Sequence, residues 1–108
     1  MRKGKVFFKN VFAGIVFQDD EGYGFEYDRD YLNGDKPEPV SFTLPLSTGA
    51  YRSKTLIPFF DGLIPEGWLL LIAEKNWKLN PDDRMGLLLS VCRDCIGAVH
   101  IETVNEEL

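Results

Sequence analysis

Residues 5–27 read KVFFKNVFAGIVFQDDEGYGFEY, and the spacing of their apolar positions decides what kind of fold the chain adopts. Val6, Phe7, Phe8, Val11, Phe12, Ile15, Val16 and Phe17 crowd β-branched and aromatic side chains into a short span, a composition suited to a pleated, half-buried surface. Two strands account for this run better than one. Asn10 supplies a turn or bulge between them, and Gly14, inside the second apolar run, marks a bulge or a close backbone approach. Asp19, Asp20, Glu21 and Gly22 then form a polar tip. Beyond it Tyr23, Phe25 and Tyr27 alternate with Gly24, Glu26 and Asp28 at period two, which predicts a hairpin with one apolar face.

Outward from this block, Asp28 to Pro39 carries the turn residues Asn33, Gly34, Pro37 and Pro39 around Tyr31 and Leu32, so a short helical turn and then a loop are expected. Val40, Phe42 and Leu44 alternate with Ser41, Thr43 and Pro45, predicting a further strand whose proline marks an edge or an end. Tyr51 is a candidate for a short returning strand. Helical signals follow: a brief segment from Leu56 through Leu63, then a helix from Pro65 to about Trp77. A third helix has Asn80 to cap it, Pro81 at its first position and Asp82 and Asp83 at the positive end of its dipole, and runs to about Val91. Ile96 to Ile101 reads as a final strand. Strands first, helices next and one returning strand last predict a single α+β domain, a mainly antiparallel sheet of about five strands with about three helices on one face. The domain is expected to span residues 1–101, with 102–108 an acidic tail.

The 108 residues suffice to bury a core without disulfide or metal help. Hydrophobic residues at 44% beside charged residues at 27% describe a folded globular chain, not a disordered one. A formal charge of -5 argues against direct nucleic-acid binding, because a phosphate-binding face needs clustered Lys and Arg. The opening MRKGKVFFKNVFAGIVF imitates a signal peptide, but Lys9 and Asn10 split its apolar run and no small-residue cleavage site follows. A mature N-terminal strand is therefore expected. No apolar segment approaches the roughly 18 residues needed to span a bilayer. These readings predict a cytoplasmic protein, with no membrane partner and both cysteines reduced.

Chemistry-bearing patterns are weak throughout. Cys92 and Cys95 form C-R-D-C, but the pair should follow a helix, near its negative end, where a thiolate is not favoured. Zinc would need two further ligands, and His100 is the single histidine. Small residues at a helix-to-strand turn are the expected role for the cysteines, and a structural one for His100. Gly22 and Gly24 lack the third glycine and the lysine of a phosphate-binding loop. Asp61-Gly62 follows Phe60 in the wrong order for a D-F-G metal site, and its catalytic-loop partner is missing. The chain by itself is not expected to be an enzyme, nor to hold a cofactor or metal.

The most densely specified stretch is Phe59 to Trp68, FFDGLIPEGW, where two aromatics precede a bend at Asp61 and Gly62 and Pro65 reopens the chain as a helix. Glu66 adds negative charge to the first turn of that helix, and Trp68 lies in the same turn. This stretch resembles the F-F-x-N-L-L-P-E/D segment of the HipA-type kinase family, from its small N-terminal subdomain, with Gly62 in place of the family's Asn. Three further stretches follow the same pattern in order. Gly24-Phe25-Glu26-Tyr27 looks like the family's F-x-Y strand. Val40 to Leu46 is similar to P-[LI]-S-x-S-L-P-L, and Arg93 to Val99 to G-R-D-[SC]-[VI]-G-A-V, with Cys92 where the family usually has Gly.

HipA-type proteins are serine/threonine kinases that act as toxins in toxin–antitoxin systems beside a helix-turn-helix DNA-binding partner. The resembled subdomain packs on the kinase core and carries none of its catalytic residues. In a tripartite, HipBST-type branch it is a separate small protein, the HipS-like antitoxin of a shortened kinase. The resemblance therefore implies a HipA-like kinase subunit as partner, with a helix-turn-helix repressor as a further member of the complex. Two roles are open: neutralising the kinase, or completing and activating a split one. Trp68, Glu66 and Pro65, anchored by Phe59 and Leu63, are the candidate partner-binding residues, Trp68 serving as a rigid hot spot. The alternative is a core Trp68, since it shares a helical face with Leu71 and Ile72.

Overall fold

The computed structural model describes residues 2–64, 82–91 and 98–104. Its centre is an antiparallel meander: β1 (Arg2–Phe8), β2 (Val11–Asp19) and β3 (Gly22–Tyr27). A short helix α1 (Arg29–Leu32) follows, then β4 (Tyr51–Ser53), α2 (Pro58–Asp61), α3 (Arg84–Val91) and β5 (Val99–Thr103). The five strands form one sheet in the order β4-β3-β2-β1-β5, antiparallel at every junction. This is the expected α+β architecture. The early block of residues 5–27 builds its three central strands.

Local chemistry sets the turns. Lys9 and Asn10 join β1 to β2 as a two-residue loop with φ of 52° and 67°, the primed geometry that matches the twist of a tight hairpin. Asn10 is thus a turn residue. The irregularity lies at Gly14: Val6 pairs with Gly14 and Phe7 with Phe12, so Ala13 is the extra residue of a bulge. Gly14 also serves close approach, because a Cβ there would collide with the Glu26 carbonyl oxygen. Both sequence readings of Gly14 hold together.

The sheet has two unlike faces. On one, Val6, Val16, Phe25 and Ile101 are fully buried and pack with Phe60 of α2 and Met85, Leu87 and Leu88 of α3. On the other, the register aligns Lys5, Ile15 and Glu26 in one row and Lys3, Phe17, Gly24 and Arg52 in the next. Its aromatics cover one another: Phe7 stacks on His100 at 4.8 Å and tilts against Phe12, while the Arg52 guanidinium lies 5.3 Å from the Phe17 ring centre. His100 is a half-buried stacking residue, 3.3 Å from the Glu102 carboxylate.

Arg2 ties the first strand to the last described helix. Its guanidinium donates two 2.7 Å hydrogen bonds to the Asp83 carboxylate in the bidentate fork that suits Arg, and Nε donates to Gln18 Oε1 at 2.9 Å. Hydrogen bonding from Arg2 holds the Asp83 carboxyl below its ordinary range. Asp83 Oδ1 also accepts from Gly86 N–H, so Asp83 caps a helix that begins at Arg84. The third helix therefore starts later than Pro81 as expected from sequence; Asn80 and Pro81 lie outside the described residues.

Two further expectations need correction. Val40 to Leu44 does not form a strand of the sheet. Ser41 and Leu44 make only an isolated bridge across a four-residue turn, with Leu44 N–H donating to Ser41 O at 3.1 Å. Ser41 and Thr43 side chains supply local hydrogen bonds that compete with a ladder, and Pro39 and Pro45 on either side have no N–H to donate. The place in the sheet goes to Tyr51–Ser53, the returning strand beside β3. Finally, β5 is Val99–Thr103 and so runs past Ile101, where the strand was expected to end; Ile96 and Gly97 lie outside the described residues, and Val104 N–H continues the pairing to Lys3 O. The predicted helix from Pro65 to Trp77, and Cys92 and Cys95, lie outside the described residues.

Candidate partner-binding surface

The described part of the FFDGLIPEGW stretch is a pinned turn. Pro58 opens α2 at its first position, where the missing N–H is not needed. Phe60 goes fully inward, edge-tilted against Phe25 at 5.2 Å, and Phe59 meets Phe60 edge-on at 5.1 Å. Successive hydrogen bonds close the exit: Gly62 N–H to Pro58 O, Leu63 N–H to Phe60 O and Ile64 N–H to Asp61 O. The Asp61 carboxylate accepts from Arg84 Nε at 2.6 Å, fastening the turn to α3. Ile64 is buried, and Phe59 and Leu63 are half-buried against the core. Of the five sequence-nominated residues, Phe59 lies within α2 and Leu63 just beyond its end, each packed against the core. Pro65, Glu66 and Trp68 lie outside the described residues.

Gly62, where the family pattern has Asn, adopts φ -69° and ψ -15°. That is ordinary right-handed backbone open to any residue, so the departure is not forced by the turn.

A second feature was not nominated from sequence. Val40 and Leu44, the shoulders of the Ser41–Leu44 turn, are buried, and the Tyr27 hydroxyl holds both: it accepts from Val40 N–H at 3.0 Å and donates to Leu44 O. Burial pushes the Tyr27 hydroxyl pKa above its usual value, partly opposed by the hydrogen bond from Val40. The Tyr51 hydroxyl donates to Pro45 O at 2.5 Å just beyond the turn. At the tip stands Phe42, 100% exposed. The signal that could have found it is the pair Ser41 and Thr43 on either side of Phe42, because both hydroxyl residues favour local turns over strands.

Among the described residues, shallow clefts of about 250 and 240 Å³ lie beside the β1–β2 turn and between α1 and Thr48. Among the described residues no group of three or more His, Cys, Asp or Glu is placed to hold a metal ion. No described helix is long and apolar enough to cross a membrane.

A five-stranded antiparallel sheet with one face closed by short helices, and with its aromatic turns carried on that helix-covered side, defines a small α+β domain. Residues 4–102 match the model of the HipA N-terminal domain. A Haemophilus influenzae relative described as an uncharacterized protein is 33% identical over 102 residues, 94% of this chain and 92% of that one. The putative kinase Y4mE of Sinorhizobium fredii is 28% identical over 96 residues, 88% of this chain but 23% of the relative. A solved structure described as the N-terminal domain of HipA toxin matches with a TM-score of 0.74 at 27% identity, covering 99% of this chain and 96% of that one. The chain belongs to the HipA N-terminal domain family.

Proposed function

We propose that this chain is a non-catalytic binding module that engages and neutralises a HipA-like serine/threonine kinase, the antitoxin of a toxin–antitoxin pair working in the cytoplasm. The observation that carries the reading is that one domain recurs in two settings. It makes up nearly all of a relative of about this size and only 23% of a putative kinase. A module that is joined to a kinase in one protein and matches almost the whole of another is suited to dock on a kinase in trans. Support at residue level comes from the pinned α2 turn. It fixes the chain direction at Ile64, one residue before Pro65, so a contact made by Pro65, Glu66 and Trp68 would start from a rigid base. A helix-turn-helix repressor completes the proposed complex.

Co-expression with a HipA-like kinase from the same organism, scoring growth and co-purification together, tests the reading. Rescued growth with a stable complex supports neutralisation; a complex with heightened toxicity makes the chain an activating subunit; absence of a complex removes the kinase reading. Trp68→Ala refines it. Kinase binding weakened by about 30-fold or more at unchanged melting temperature identifies a contact residue, whereas a large fall in melting temperature makes Trp68 core.

A further inference from the structure

Phe42 is anomalous. A phenylalanine left wholly in water forgoes the stabilisation that burying its ring would give, yet this one stands at the tip of a turn that is itself firmly built. Val40 and Leu44 bury to 6% and 3% exposure on either side of it. Leu44 N–H closes the turn on Ser41 O, Thr43 N–H donates to Ser41 Oγ at 3.2 Å, and the two side-chain hydroxyl oxygens lie 2.9 Å apart. The Tyr27 hydroxyl clamps both shoulders, and the Tyr51 hydroxyl clamps Pro45. A loose loop carrying an exposed aromatic would lose freedom on binding. Here the backbone of the turn is already closed by hydrogen bonds, which lowers the ordering cost an aromatic anchor meets on association.

We infer that the Ser41–Leu44 turn is a preformed anchor that inserts Phe42 into an apolar pocket on the body of a HipA-like kinase. The inference rests on the kinase-binding reading above and adds to it a second contact, 17 residues before Phe59 in the chain. The occupant is argued from the putative kinase relative. There this domain is 23% of the chain, so most of that protein lies beyond it, and it is the body available to cover apolar surface on the domain. A protein pocket, not a charged ligand, fits the chemistry: the side chains flanking Phe42 are neutral hydroxyls already turned to one another, which leaves the ring as the projecting group.

The test compares the full-length chain with Phe42→Ala and Phe42→Leu by calorimetric titration into the purified HipA-like kinase, with thermal melting of each chain alone. The anchor predicts affinity lowered on the order of 30-fold or more for Phe42→Ala, a smaller loss for Phe42→Leu, and melting midpoints within about 2 °C of the parent. Kinase affinity within about twofold of the parent for Phe42→Ala overturns the inference. If Trp68→Ala loses binding while Phe42→Ala keeps it, the kinase reading stands and the anchor alone fails. If the parent chain itself does not bind, both fall. A melting midpoint lowered by several degrees in Phe42→Ala would also overturn it, by showing that the ring packs within the domain. So would self-association abolished by Phe42→Ala with kinase affinity intact, which reassigns the ring to contact between copies.

Discussion

Phe60 and Phe42 sit on turns of similar construction and meet opposite fates. Each turn is a few residues long, closed by main-chain hydrogen bonds and fastened to a neighbouring element by a polar group, to α3 by Arg84 on Asp61 in one case and to β3 by the Tyr27 hydroxyl in the other. Phe60 is fully buried and Phe42 fully exposed. The difference lies in what each turn presents to the core. In α2 the ring itself faces Phe25, whereas in the Ser41–Leu44 turn the shoulders Val40 and Leu44 fill the core position and the tip is carried outward. A phenylalanine on a rigid turn therefore acts as internal cement or as an external anchor according to whether its neighbours have already filled the space beneath.

The hardest way to break this comparison is to remove the cement. Phe60→Ala deletes a fully buried ring in contact with Phe25 and Phe59, and should destabilise the domain by about 3–5 kcal/mol, read as a shift in the urea midpoint at unchanged slope. A loss under about 1 kcal/mol would mean that the α2 turn is not part of the cooperative core, and the contrast with Phe42 would collapse.

The next variant releases the outer turn without touching its tip. Tyr27→Phe keeps the ring that lies against Phe25 but leaves the buried Val40 N–H and Leu44 carbonyl without their partner, a cost of about 1–3 kcal/mol. The same hydroxyl gives a pH signature. Its pKa is raised in the folded state, so the unfolded chain gives up this proton first. The stabilisation is complete below the unfolded tyrosine value near 10 and declines as pH rises through the folded value. Subtracting the pH–stability curve of Tyr27→Phe from that of the parent should isolate this decline on the alkaline side. A difference that stays flat through that range would show that the hydroxyl is as solvated in the fold as in the unfolded chain.

What was legible in advance divides along the same line. The meander of residues 5–27 could be read because its period-two pattern and its turn residues agree: Val16 and Phe25 fall on the buried face, and Asn10 takes the left-handed turn position. Val40, Phe42 and Leu44 share that period-two pattern but form a turn. Alternation measures only which residues are apolar; it does not register that Ser41 and Thr43 satisfy the backbone locally or that flanking prolines withhold donors. The Tyr27 hydroxyl is a long-range determinant, reaching Val40 13 residues ahead, and no local window contains it. For the candidate site, the α2 turn was legible from the aromatic pair Phe59 and Phe60 ahead of a bend at Asp61 and Gly62, and Phe59 and Leu63 each pack against the core. Phe42 was not, because an exposed aromatic and a buried one are written with the same letter and only the packing of the shoulders distinguishes them.

The smallest expected effect sharpens the inner turn. Gly62 closes α2 in right-handed backbone, with φ -69° and an exposed surface, so nothing in its conformation calls for glycine. A side chain there meets the Pro58 carbonyl oxygen at 3.3 Å, close contact that a slight opening of the turn can accommodate. Gly62→Asn, the residue of the family pattern, removes conformational freedom from the unfolded chain and should stabilise the domain by about 0.4–1 kcal/mol. Thermal melting measures this directly. Destabilisation instead would show that the Pro58 carbonyl cannot yield, making the turn tighter than its hydrogen bonds alone require. In that event the rigidity that fixes the chain direction at Ile64 would arise from steric closure of the turn as well as from the Asp61–Arg84 pair. The two turns would then differ in a second respect: the outer one is held by the Tyr27 hydroxyl, the inner one by tight backbone packing as well as by the Asp61–Arg84 pair.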